Sequence, residues 1–98
     1  MTINKQIEGD KMTVAVAGRL DTTTAPELDE ELKSSIEGIK ELVIDFSDLE
    51  YISSAGLRVL LSAQKIMNTQ GSMKVTGSSE VVLEVFEVTG FSDILTIE

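Results

Sequence analysis

The residues best suited to chemistry lie in one run, Tyr51-Ile52-Ser53-Ser54-Ala55-Gly56-Leu57-Arg58. Ala55 and Gly56 carry almost no side-chain bulk, so a large partner can approach the hydroxyl of Ser54. A phosphate there would add about −1.5 to −2 charge. The start of a helix accommodates such a charge, because its unpaired amides and its dipole favour anions. The plainer use of Ser at a helix start is to cap it. Hydrolysis fits poorly. A nucleophile elbow wants Gly two residues before and two after the Ser, and Ile52 stands in the first of those places. The chain has no His, so no Ser-His relay can be built.

A second run, Gly18-Arg19-Leu20-Asp21-Thr22-Thr23-Thr24, offers a carboxylate and three hydroxyls. Asp21, Thr22 and Thr23 can contact a partner, or can make the local turn and cap bonds typical of such residues. Asp45 and Asp48 are more naturally solvated loop charges than metal ligands. With no His or Cys, neither zinc nor thiol chemistry is available. No glycine-rich phosphate loop exists, so no cofactor is expected.

Charge narrows the partners. Eight Lys+Arg face 17 Asp+Glu, a net of −9. A nucleic-acid binder needs a cationic face to replace counterions on phosphates, so that class is excluded. From Asp21 to Glu50, ten acids stand against Lys33 and Lys40 alone, and this acidic stretch leads directly to Ser53 and Ser54.

The elements that must position these runs follow from periodicity. Ile3, Lys5 and Ile7, then Met12, Val14 and Val16, alternate around Gly9-Asp10, the pattern of an antiparallel hairpin. Thr24-Ala25-Pro26-Glu27 matches a capping box with Pro in the first turn. Ala25, Leu28, Leu32 and Ile36 then recur at helical spacing, and Gly38 is expected to end the helix. Leu42–Phe46 reads as a strand covered on both faces, followed by a polar loop over residues 47–50. A helix is expected from Ser54 to about Thr69, with Arg58, Ser62, Lys65 and Thr69 as its polar stripe. Met73–Thr76 is a strand. Residues 79–89 are rich in β-branched side chains, which argues for a strand. Glu80, Glu84 and Glu87 nevertheless fall on one helical stripe opposite Val82, Val85 and Phe86, with Gly90 as C-cap, so a helix is the preferred reading. Ile94–Ile97 closes as a strand.

The order β-β-α-β-α-β-α-β predicts an α/β fold: a central mixed sheet, an N-terminal hairpin, right-handed parallel crossovers and helices packed on the sheet. Residues 1–98 suffice for one domain. No apolar run reaches the roughly 18 residues of a membrane span, and MTINKQIEGD lacks a signal core. A cytoplasmic protein is expected.

Against this background the chain resembles STAS domains of the bacterial anti-sigma factor antagonist family. Gly18-Arg19-Leu20-Asp21 is similar to the family's Gly-x-Leu-Asp. Residues 42–57 resemble its strand, loop and phosphorylation motif, often Asp-Ser-Ser/Thr-Gly-Leu-Gly. Val82, Phe86 and Thr89-Gly90-Phe91 resemble its last helix and glycine stop. The resemblance implies a protein that is not an enzyme. It would bind an anti-sigma factor with a GHKL-type serine kinase domain and release the sigma factor. Phosphorylation of Ser54 would switch it off, and a PP2C-type phosphatase would reset it. Ser54 is the implied acceptor because it stands two before Gly56. Asp21, Thr22, Thr23, Ser53, Ala55, Gly56 and Arg58 are the expected partner contacts around it. Ser53, Ala55 and Arg58 replace the family's frequent Asp, Ser/Thr and Gly. Arg58, one helical turn beyond Ser54, is placed to reach a phosphate there, or simply to lie in solvent beside Ser62 and Lys65. The alternative role is a STAS regulatory subunit of a membrane transporter complex.

Overall fold

The computed structural model describes residues 1–98. Alternation at the start builds a hairpin: β1 (Thr2–Glu8) pairs antiparallel with β2 (Lys11–Leu20), Ile3 opposite Val16 and Ile7 opposite Met12. β3 (Glu41–Asp45) joins β2 in parallel, and β5 (Ser72–Thr76) joins β3 in parallel. The sheet order is β1-β2-β3-β5. In this register Met12, Leu42 and Met73 form one row and Val14, Ile44 and Val75 the next, all buried. Each such side chain contributes roughly 1.5–3 kcal/mol on leaving water.

Three helices complete the core. α1 (Ala25–Ser35) buries Ala25, Leu28 and Leu32; α2 (Ser54–Gln70) buries Leu57, Val59, Leu60, Ala63 and Met67; α3 (Glu80–Thr89) buries Val82 and Phe86. Glu80, Glu84 and Glu87 are exposed, as the helical period requires. The Ser79 hydroxyl accepts from the Val82 amide at 3.3 Å, and α3 stops at Gly90. Lys5, on the β1 edge strand, points toward α1 and donates to Glu31 at 3.2 Å and to Ser35. A charge held on the inner face of an edge strand blunts edge-to-edge association. No helix is long and apolar enough to cross a membrane.

The structure departs from expectation in several places. Residues 49–52, expected within and after a loop, form a fourth strand, β4 (Leu49–Ile52), which pairs with the far end of β2. Its Leu49 and Ile52 are buried while Glu50 and Tyr51 are exposed. The capping box at Thr24 is not formed: its side chain makes no cap bond, because its hydroxyl is drawn back to the Arg19 carbonyl at 2.8 Å. α1 closes at Ile36, before Gly38. β3, by contrast, is covered on both faces as expected: Leu42 and Ile44 lie in the core cluster, and Val43, on the opposite side, is buried outside it. The expected last strand shrinks to a single bridge between Val75 and Ile97, preceded by a 3₁₀ turn at Phe91–Asp93.

Candidate functional site

β2 changes partner along its length. Residues 11–15 pair with β3, and residues 18–20 pair with β4, Arg19 beside Tyr51 and Leu20 beside Ile52. The switch occurs at a register shift between Gly18 and Arg19, where the Gly18 amide donates to the Asp48 carbonyl at 3.0 Å. Gly18 has φ +95°, a conformation that side-chain-bearing residues rarely adopt. The pairing ends with the Ser53 amide donating to the Leu20 carbonyl at 2.9 Å. Parallel strands thus carry the two chemically interesting runs to one end of the sheet, the carboxyl end, where sites gather in such folds.

On the β2 side, Asp21 organises the turn into α1. Its Oδ1 accepts from the Thr23 hydroxyl at 2.8 Å, the Thr23 amide at 3.0 Å and the Thr24 amide at 3.2 Å. The Asp21 amide in turn donates to the Thr24 hydroxyl at 2.8 Å. These donors, the Thr23 hydroxyl foremost and then the Thr23 amide, hold the carboxyl below the usual carboxylate range and outweigh the opposing effect of partial burial. Thr22 and Thr23 are exposed.

On the β4 side, the two serines separate. Ser53 is the extended N-cap of α2 (φ −100°, ψ 176°); its carbonyl accepts from the Leu57 amide at 3.0 Å, but its hydroxyl is buried and has no partner. Ser54, the first helical residue, is exposed. Gly56 faces inward and is buried. A Cβ there would come within 2.8 Å of both Leu20 and Ile52, so the missing side chain lets α2 settle onto β2 and β4. The expectation that Gly56 opens the surface to a partner is corrected: it serves internal packing.

Two members of the site were not singled out as contacts from sequence. The Arg19 guanidinium lies 4.3 Å above the Tyr51 ring, with Nε 3.9 Å from Asp21 Oδ2. A cation over an aromatic face is attracted by the ring quadrupole, here in partly exposed surroundings. Only the β2–β4 register brings the pair together, and that strand was not expected.

Between α1 and α2 runs a groove of about 360 Å³, lined by Thr22, Pro26 and Lys33 on one side and Ala55, Arg58 and Ser62 on the other. Asp21, Thr22, Ser53, Ser54, Ala55 and Arg58 are therefore gathered around one end of the fold, with Thr23 bonded to Asp21. Asp45 is occupied separately, accepting from the Ser47 amide at 2.9 Å. The arrangement presents an accessible hydroxyl at the first residue of α2.

Comparison with known proteins agrees with this fold. The family model described as "Mlab, STAS domain" matches residues 3–96. An anti-sigma-B factor antagonist of Bacillus subtilis is 38% identical, aligned over 99% of this chain and 92% of that protein. The corresponding protein of Listeria monocytogenes is 35% identical over 96% of this chain and 84% of its own length. Among solved structures, the anti-sigma factor antagonist SpoIIAA in its unphosphorylated form superposes with a TM-score of 0.85 at 15% identity, covering 99% of this chain and 88% of its own. An anti-sigma factor antagonist from Mycobacterium paratuberculosis reaches 0.89 at 23% identity, covering 98% and 83%. At these identities the superpositions show the fold.

Proposed function

The chain belongs to the STAS-domain family, and from that premise we propose that it is an anti-sigma factor antagonist controlled by phosphorylation of Ser54. Its partner is an anti-sigma factor carrying a GHKL-type serine kinase domain, and binding that partner frees a sigma factor. The kinase transfers the γ-phosphoryl group of ATP to the Ser54 oxygen, which loses its proton, and ADP leaves. A PP2C-type phosphatase hydrolyses the ester and restores the hydroxyl. The chemistry belongs to those enzymes; this chain supplies the acceptor and the surface.

The observation that carries the reading is the contrast at the start of α2. Ser54 is exposed, whereas the neighbouring Ser53 hydroxyl is buried. Asp21, Thr22 and Thr23 stand beside the acceptor through the β2–β4 pairing, ready to contact the same partner. Acidic α1, with Glu27, Glu30 and Glu31, steers a partner with a basic rim before modification. Phosphorylation moves the net charge from −9 toward roughly −11 and places the new charge where the partner must fit closely. No refolding is required for such a switch.

The test is incubation with GHKL-type anti-sigma kinases and ATP, followed by mapping of phosphate by mass spectrometry. Phosphate on Ser54, absent from Ser54→Ala, is the expected result. Phosphate confined to another residue contradicts the proposal.

A further inference from the structure

The chain has eight cations but only two arginines, Arg19 and Arg58, and both border this site. They are held differently. Arg19 is committed, stacked on Tyr51 and close to Asp21. Arg58 is exposed and forms no ion pair, unlike Lys33 across the groove, whose Nζ lies 3.1 Å from Asp29 Oδ2. Arg58 is thus the uncommitted cation of the groove. In a helix the Cα–Cβ bonds tilt toward the N-terminus, so a long side chain at 58 covers the turn before its own. That turn begins at Ser54, four residues earlier and on nearly the same face.

From this juxtaposition we infer that Arg58 exchanges partners when Ser54 is phosphorylated. In the unmodified protein its guanidinium meets acidic or carbonyl oxygens of the anti-sigma factor entering the groove. In the modified protein it turns back onto the phosphate, which a guanidinium takes through charge-assisted, often bidentate, hydrogen bonds. Phosphorylation then acts twice, adding negative charge and withdrawing the groove's uncommitted cation from the partner. Arg58 is a positioning and specificity residue, with no part in the transfer itself. The inference rests on Ser54 being the acceptor.

Two measurements test it. Phosphoserine can be placed at position 54 by genetic encoding, without a kinase, and its ³¹P shift followed against pH. The guanidinium favours the dianion, so the titration midpoint should be lower in the wild type than in Arg58→Ala. The expected gap is about 0.3 pH unit or more, the size of an exposed helical ion pair, with Arg58→Lys in between. Identical midpoints in all three proteins overturn the inference. This readout needs no kinase, so its failure is distinct from a failure to find phosphate on Ser54. The second measurement is partner affinity in a cycle of Arg58→Ala and phosphorylation. Arg58→Ala should weaken binding of the unmodified protein, and phosphate should then cost fewer-fold than in wild type. Fully additive effects overturn the inference.

Discussion

Helices α1 and α2 begin side by side at the same end of the sheet, and they begin in opposite ways. α1 is entered through the Asp21–Thr24 turn, in which one carboxylate oxygen accepts from the amides of Thr23 and Thr24 and from the Thr23 hydroxyl, while the Thr24 hydroxyl ties back to Arg19. α2 is entered through Ser53, whose hydroxyl caps nothing, and its first helical residue lies in solvent. α3 shows that the fold can cap a helix with Ser when it does so at Ser79. The α1 entry is a saturated, self-supporting surface suited to being recognised. The α2 entry has no such network of side-chain bonds ahead of it, and its first helical residue, Ser54, is exposed. On the proposed function, the difference separates a recognition surface from a switch.

Substitutions can break that contrast, beginning with the packing beneath it. Gly56→Val should be the most damaging, since its Cβ alone meets Leu20 and Ile52 at 2.8 Å. Overpacking of this kind costs about 1–3 kcal/mol, and the urea midpoint should fall accordingly. An unchanged midpoint would mean that α2 does not rest on β2 and β4 as described. Ser79→Ala removes a working cap and should cost about 1 kcal/mol. Ser53→Ala removes a hydroxyl with no partner, and should leave stability within about 0.5 kcal/mol of wild type or raise it slightly. If the two alanine variants prove equally destabilised, Ser53 does cap α2 and the contrast fails.

Protonation probes the α1 entry more gently. The folded-state pKa of Asp21 is lowered, so the stability it contributes is present above its unfolded pKa, near 4, and is lost as pH falls through the folded value. The urea midpoint of wild type should therefore exceed that of Asp21→Ala at pH 6, and the two should converge as pH falls well below 4. A gap that persists unchanged into strong acid would show that the Thr23 and Thr24 donors do not depend on the carboxylate's charge.

How far the chain's sequence reveals this depends on the range of the interaction. The three helices were legible because burial of Leu28 and Leu32, of Leu57 and Leu60, and of Val82 and Phe86 imposes a period that no other element shares. β4 was not, because Glu50 and Tyr51 are both exposed, which breaks the alternation, and its partner is a half-strand some 30 residues away. The Arg19–Tyr51 stack depends on that register and was hidden with it. At α1 the Thr-x-x-Glu pattern pointed to a local cap, and the Arg19 carbonyl and Asp21 won the Thr24 hydroxyl and amide instead. Ile94–Ile97 has strand composition, but only Ile97 finds a strand to pair with. The prominence of Ser54 came from a resemblance to a family. Its accessibility, and the burial of the Ser53 hydroxyl, came from the fold.

The central claim is that a phosphate on Ser54 turns partner binding off. The most direct measurement is the affinity of the anti-sigma factor for this protein with and without phosphoserine at position 54, at fixed ionic strength. A charge that the close fit cannot accommodate should weaken binding by roughly 100-fold, about 2.7 kcal/mol. Equal affinities for the two forms would contradict the account.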